Sequence, residues 1–220
     1  MKRFFKILFF ALFMKPIIKI ILGLNVKNYL KLPENGPAIL IANHNSHLDT
    51  IVLMCLFPLL KIHKVRPVAA ADYWHKNNLI TWFADNCIGI IPIARKSDPK
   101  KDNLLIDIQA ALKDNCIVIY FPEGSRGNPE EMTQFKKGIC HLSMSSPDVP
   151  VVPIFLYGLG KALPRGEGLL VPFVCDINIG DKYYWDNDKD LFLSKLQNAI
   201  NTLGSETRNF EKEKDSIYFC

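Results

Sequence analysis

The sequence predicts an α/β fold: a mostly parallel central sheet flanked by helices, with an N-terminal membrane-interfacial helical segment. Three observations predict it. From Pro37 onward, short runs that are apolar on both sides recur along the chain. Stretches of helical length and amphipathic pattern separate them, as expected for a sheet whose strands are joined by crossovers and covered on both faces. The first 24 residues differ from everything after them, being basic and aromatic at the start and then apolar. A chain of 220 residues is long enough for one well-buried domain. The expected division is a membrane-associating helical segment over 1–30, a catalytic domain over 31–204, and a charged tail over 205–220.

The amino-terminal segment opens with Met1-Lys2-Arg3-Phe4-Phe5-Lys6, runs apolar from Ile7 to Met14, and is apolar again from Ile17 to Leu24 except for Lys19. Lys15 and Pro16 split the two pieces. A spanning helix needs about 20 mostly apolar residues, and neither piece reaches that. No small-residue cleavage pattern follows Met14, which argues against a removed signal. The reading adopted is a hairpin or kinked helix lying in a membrane interface, with Phe4, Phe5, Phe9, Phe10 and Phe13 inserted and lysines near phosphate headgroups. A spanning segment and an ordinary core helix are the alternatives.

In order, the expected strands are Ala38 to Ala42, Pro67 to Ala71, Gly89 to Ile93, Cys116 to Phe121, Val151 to Tyr157 and Leu170 to Ile179. The expected helices are Thr50 to Leu60, Lys76 to Asn86, Lys100 to Asp114, Thr133 to Ser143 and Asp188 to Leu203. Ser205 to Cys220 reads as a helix extension or a frayed tail. In sheets of this kind, sites gather beyond the carboxyl ends of the strands. His44 and Glu123 each follow an expected strand by two residues, which makes both of them site candidates.

The formal net charge is +5, yet there is no long basic run and no interleaving of basic and aromatic residues, so nucleic acid is not an expected partner. The 6 cysteines are scattered, without a CxxC pair, and read as reduced thiols in a cytosol-facing compartment.

The run Asn43-His44-Asn45-Ser46-His47-Leu48-Asp49 carries the chemistry. An imidazole held by a carboxylate is the usual device for taking a proton from an alcohol. Five steps along a regular helix would place His44 and Asp49 about 140° apart with about 7.5 Å of rise. His44 therefore belongs to the turn before a helix capped by Asn45 or Ser46, with Asp49 in the first turn. Ser46-x-x-Asp49 also matches a capping box, so capping is a competing role for the aspartate. His47 invites a metal reading with His44 and Asp49. The remaining histidines, His63, His75 and His141, lack ligand-like spacing, so neither metal nor cofactor is expected.

A second motif, Phe121-Pro122-Glu123-Gly124-Ser125-Arg126-Gly127, follows an apolar strand. Arg126 is suited to gripping a phosphate bidentately, and Glu123 to accepting from a hydroxyl or fixing the arginine. A turn with an exposed ion pair is the plainer alternative. Ser125 lacks a GxSxG frame, since Glu123 stands at the first glycine position. A third, Gly89 to Lys96, is a buried strand ending in Arg95 and Lys96. Arg95 there is either a wall of an anion pocket or solvated punctuation. The fourth, Asp148 to Ile154, is a proline-bracketed apolar strand with no reactive group.

In this order the four blocks resemble the glycerolipid acyltransferase family of the lysophosphatidate acyltransferase (PlsC) type, over about residues 37 to 160. The resemblance implies transfer of a fatty acyl group from acyl-CoA or acyl-carrier protein to the free hydroxyl of 1-acyl-glycerol-3-phosphate, or of another lysophospholipid or lyso-aminolipid. A non-catalytic lipid-binding protein is the alternative from a different class. The resemblance further implies that His44 is the base and Asp49 its orienter, that Arg95 and Arg126 hold phosphate, and that Glu123, Gly124 and Ser125 shape the acceptor site. It places the enzyme on the cytoplasmic face of the inner (plasma) membrane. One departure stands out: where such members carry a lysine at the end of the strand after the first motif, Val68-Ala69-Ala70-Ala71 has alanine. Lys137, or else Lys76 or Lys96, is the expected substitute, although a lysine at 137 also fits a solvated helix face.

Overall fold

The computed structural model describes residues 2–71, 77–93, 105–127, 131–163 and 171–218, with side chains to residue 208. Helix α1 (Lys2–Phe9), a π-helical turn (Phe10–Met14) and α2 (Lys15–Ile21) lead into strand β1 (Leu22–Lys27). Then come β2 (Ala38–Ala42), α3 (Leu48–Cys55), β3 (Val65–Ala70), α4 (Asn78–Phe83) with a π-helical turn (Ala84–Ile88), and β4 (Ile91–Ile93). The remainder is α5 (Ile106–Lys113), β5 (Ile117–Tyr120), α6 (Gly138–Met144), β6 (Val151–Tyr157), the short α7 (Leu159–Ala162), β7 (Phe173–Ile179) and the long α8 (Lys189–Tyr218).

The strands form one seven-stranded sheet in the order β1-β7-β6-β2-β5-β3-β4. Every neighbouring pair is parallel except β6 with β7. This is the mostly parallel α/β sheet that the doubly apolar strands predicted. Alternate residues of β2 serve opposite faces. Ala38, Leu40 and Ala42 join a core with Phe10, Ile18, Val52 and Leu53 from the amino-terminal helices and α3. Ile39 and Ile41 join a second core with Ile108, Ile139, Phe192 and Leu196 from α5, α6 and α8.

Topology places the site. From β2 the chain crosses by way of α3 to β3, beyond β5, whereas from β5 it crosses by way of α6 to β6, beyond β2. The two connections leave adjacent strands in opposite directions, and such a switch opens a crevice outside the strands' carboxyl ends. His44 and Glu123 follow those two strands.

Two elements depart most from expectation, and the tail decides between its two readings. Residues 22–24, expected within the apolar helical segment, belong to β1. Its sequence, LGLNVK, has Gly and Asn where strand formers are wanted; the strand is imposed by parallel pairing with β7, from Leu22 opposite Phe173 to Lys27 opposite Asn178. Helix α6 starts at Gly138 rather than Thr133 because the intervening amides have other acceptors. Thr133 N donates to Glu123 Oε2 at 2.9 Å, Phe135 N to Gln197 Oε1 at 3.0 Å, and Lys136 N to Pro122 O at 2.9 Å. Helix α8 runs through residue 205 without a break, so the tail to Tyr218 is a helix extension.

Candidate functional site

At the carboxyl end of β2, Asn43 takes the chain out of the sheet. Its side-chain Nδ2 donates to Leu156 O at 2.9 Å, and its Oδ1 accepts from Leu156 N at 2.8 Å, so the carboxamide continues the ladder with β6. The next residues form a tight turn around one carboxylate oxygen. Asp49 Oδ2 accepts from Asn45 N at 2.7 Å, from Ser46 N at 2.8 Å and from the His44 ring at Nδ1, 2.9 Å away. Leu48 N donates to Ser46 Oγ at 3.2 Å at the start of α3. The N-cap position of α3 is His47, with no side-chain capping bond, rather than Asn45 or Ser46; the same aspartate oxygen holds the turn before the helix and the imidazole at once. The Asp49 side chain is 1% exposed and that of His44 18%.

The second motif is bound to the first through its carboxylate. Glu123, buried, accepts from His44 N through Oε1 at 2.9 Å, and from Thr133 N and Thr133 Oγ1 through Oε2 at 2.9 and 2.7 Å. Gly127 N closes the link by donating to His44 O at 2.9 Å. The sequence offered a hydroxyl or an arginine as the partner of Glu123; the hydroxyl is that of Thr133, and the other bonds come from the Thr133 amide and the histidine turn. Between them the chain turns at Gly124, whose φ of 76° lies in the left-handed region that favours glycine. Phe121 lies against the His44 ring, stacked with centroids 4.0 Å apart and planes at 18°.

The histidine turn and this loop border a cavity of about 690 Å³. His44, His47, Thr50, Ser125 and Arg126 supply its polar wall, and Gly124 borders it. Phe9, Met14, Ile51, Phe83, Ile88 and Ile90 supply apolar wall, so the amino-terminal segment contributes directly to the cavity. Ala69 and Ala70, at the end of β3, line it where the family resemblance leads one to expect a lysine. Arg126 Nη1 meets His47 Nε2. Partial burial, then the nearby Arg126 and His44, hold the His47 imidazole below the usual histidine range, against the opposing pull of Asp49.

His44, Asp49, Glu123, Gly124, Ser125 and Arg126 therefore converge. Lys137 does not join them: its ammonium donates to Asp190 on α8 at 2.8 Å, and its side chain is 62% exposed. Arg95 lies outside the described residues, as do Lys76 and Lys96. Among the described residues, no group of three or more His, Cys, Asp or Glu is placed to hold a metal ion. Sequence reasoning missed the parts played by Asn43, Phe121, Thr133 and the cavity wall of Phe9 and Met14. Asn43 and Phe121, each immediately after a strand and at the head of its motif, stood where a local signal existed.

Comparison with known proteins gives the family. A family model described as Acyltransferase matches residues 23–157. The 1-acyl-sn-glycerol-3-phosphate acyltransferase LPAT1, chloroplastic, of Arabidopsis thaliana is 31% identical over 149 residues, 67% of this chain and 40% of that protein. The corresponding BAT2, chloroplastic, of Brassica napus is 31% identical over 184 residues, 80% of this chain and 49% of that protein. The 1-acyl-sn-glycerol-3-phosphate acyltransferase alpha of Homo sapiens is 30% identical over 150 residues, 67% of this chain and 50% of that protein. The chain thus spans at most about half the length of these relatives. The crystal structure of the 1-acyl-sn-glycerophosphate (LPA) acyltransferase PlsC from Thermotoga maritima shares the fold, with a TM-score of 0.74 and 17% identity over 93% of this chain and 81% of that one. Since the matched stretch runs from β1 to the end of β6 and holds both halves of the crevice, the chain belongs to the acyltransferase family.

Proposed function

We propose that this protein transfers a fatty acyl group from a thioester, acyl-CoA or acyl-carrier protein, to the free hydroxyl of 1-acyl-glycerol-3-phosphate, giving phosphatidate. The observation that carries this reading is the His44–Asp49 pair, whose histidine borders a cavity lined by apolar side chains and by Arg126. Asp49 holds Nδ1, so the substrate proton is taken at Nε2. The alkoxide oxygen attacks the thioester carbonyl carbon, and the tetrahedral intermediate collapses with loss of the thiolate, which receives the proton from the imidazolium. Asp49 keeps the ring in the productive tautomer and stabilises its charged form. No covalent enzyme intermediate is required. General-base assistance of this kind is worth about 10²–10⁴-fold.

Arg126 is the group for the acceptor phosphate, with Gly124 and Ser125 beside it; the apolar wall suits an acyl chain. Alanine at 69 and 70 favours a second reading, in which the chemistry is unchanged and the acceptor is another lysophospholipid. The amino-terminal segment is the membrane contact. Phe4, Phe13 and Ile20 are 64%, 53% and 82% exposed beside the exposed cations Lys2, Arg3 and Lys19, the composition of an interfacial helix on an anionic surface. Among the described residues no helix is long and apolar enough to cross a membrane. The cytoplasmic face of the inner (plasma) membrane is the setting this reading assigns.

The test is an assay of the purified chain in detergent, with lysophosphatidate and other lyso-acceptors against acyl-CoA and acyl-carrier-protein donors. Phosphatidate formation that vanishes in His44→Ala is the expected result. Absence of transfer to every acceptor, or full activity in His44→Ala, refutes the mechanism.

A further inference from the structure

His47 and Arg126 stand 79 residues apart in the chain and meet across the two motifs through Nε2 and Nη1. A guanidinium has five N–H donors and no acceptor, so this contact is a hydrogen bond only when His47 Nε2 offers its lone pair. His47 is then the neutral imidazole with its proton on Nδ1. The atom that Arg126 uses matters as well. With Nη1 turned to His47, the Nε–Nη2 edge keeps two parallel donors, the arrangement a phosphate accepts bidentately.

The two partners differ in how firmly their backbones are held. His47 follows Ser46, whose amide is bound by Asp49 at 2.8 Å, and precedes Leu48, whose amide donates to Ser46 Oγ at 3.2 Å. Arg126 follows two exposed residues, Gly124 and Ser125, at the tip of a loop anchored at Glu123 and Gly127. The hydrogen bond therefore ties the tip of the loop to a rigid turn. Among the described residues that line the cavity, Arg126 is the one lysine or arginine, alanine standing at 69 and 70 and Lys137 being turned to Asp190.

Building on the assignment of the acceptor phosphate to Arg126, we propose that His47 is a positioning residue that sets the Arg126 guanidinium edge-on to that phosphate. The arrangement is sensitive to pH. Protonation of His47 converts its acceptor into a donor and sets an imidazolium against Arg126, with His44 as a further cationic neighbour and Asp49 the opposing carboxylate. His47 titrates below the usual histidine range, so the contact persists at neutral pH and is lost on the acid side.

The test measures acceptor KM and kcat with lysophosphatidate and acyl-CoA across pH for the wild type, His47→Ala, His47→Gln, Arg126→Ala and the double variant His47→Ala/Arg126→Ala. Losing the orienting bond raises acceptor KM about tenfold in His47→Ala, with a smaller effect on kcat. Gln retains a neutral acceptor and recovers most of that loss. The same His47→Ala change costs almost nothing in the Arg126→Ala background, since two residues acting through one contact are not additive. The wild-type KM relative to that of His47→Gln rises as pH falls; titration of the acceptor phosphate is common to both and cancels in the ratio. An undiminished His47→Ala effect in the Arg126→Ala background overturns the proposal alone. A KM ratio that falls toward acid pH does the same, by making His47 itself the phosphate-binding cation. An unchanged acceptor KM in Arg126→Ala overturns the phosphate assignment, and this inference with it.

Discussion

Replacing Asp49 by Asn separates the aspartate's two roles. Oδ2 accepts from two backbone amides at 2.7 and 2.8 Å and from the imidazole at 2.9 Å. In Asp49→Asn the two amides dictate that the carboxamide oxygen takes that place, and its NH₂ falls where Oδ1 lies buried without a hydrogen-bond partner. The turn is therefore kept and only the charge is lost. An imidazolium and a carboxylate with charge centres about 4 Å apart attract by about 4 kcal/mol at an effective dielectric constant near 20. At about 1.4 kcal/mol per decade, the transition state is destabilised by up to about three orders of magnitude in kcat. The helix loses an anion in its first turn, worth about 0.3–1 kcal/mol, so the melting temperature drops by no more than a few degrees. Steady-state thiol release from acyl-CoA, read beside a thermal melt, measures both quantities. A kcat within about threefold of the wild type, with the fold intact, refutes the charge-stabilising role and leaves Asp49 only the turn and the hydrogen bond to the ring.

Other expected outcomes follow from the same contacts. Glu123→Gln sets an NH₂ group against amide or hydroxyl donors inside a buried clamp; a loss of about 1–3 kcal/mol and a melting temperature lowered by several degrees are expected, together with reduced kcat. An unchanged melt shows that Glu123 does not bind the motifs together. Lys6 is buried, donates to Val65 O at 2.7 Å, and is pushed down to about 7 by burial first and then by Arg66. The unfolded chain then binds more protons than the folded one between about pH 7 and the ordinary lysine value of 10.5, so stability rises with pH across that window. Denaturant titrations should show this slope in the wild type and its absence in Lys6→Met. Changing Phe4, Leu8, Leu12 and Phe13 together to Ser removes exposed apolar side chains and should weaken sedimentation with anionic vesicles by at least about a hundredfold. Undiminished binding would assign the membrane contact to another surface.

The sequence disclosed most about elements whose residues agree with their surroundings. Strands β2 and β6 begin and end where their apolar runs do, because both are buried on two faces in the middle of the sheet. Strand β1 was illegible, since Gly23 and Asn25 give no strand signal and its pairing partner β7 lies about 150 residues further along the chain. The start of α6 was hidden for a related reason: Thr133, Phe135 and Lys136 give their amides to acceptors distant from them in the chain or in other elements. In the site, the spacing of His44 and Asp49 implied a turn followed by a helix, and that is their geometry. Lys137 could not be placed from its neighbours, because what holds it is Asp190 on a helix 53 residues away. The cavity wall was beyond reach on the same grounds. Phe9 and Met14 read as surface-seeking until the packing of α1 and the π-helical turn brings them beside residues from β4 and α4.

Asn43 shows how the architecture specifies a residue that touches no substrate. Where β2 stops, the neighbouring strand still has a donor and an acceptor at Leu156 to satisfy, and the Asn43 carboxamide satisfies both. A side chain thus impersonates one more peptide unit. Aspartate at that position would set an oxygen against the Leu156 carbonyl, and leucine would leave both groups stranded in the interior. The polypeptide is thereby released from the sheet one residue before the histidine, and His44 is spared any duty in the strand. Asparagine at the head of the motif is accordingly a splice: the joint at which the sheet ends and the histidine turn begins.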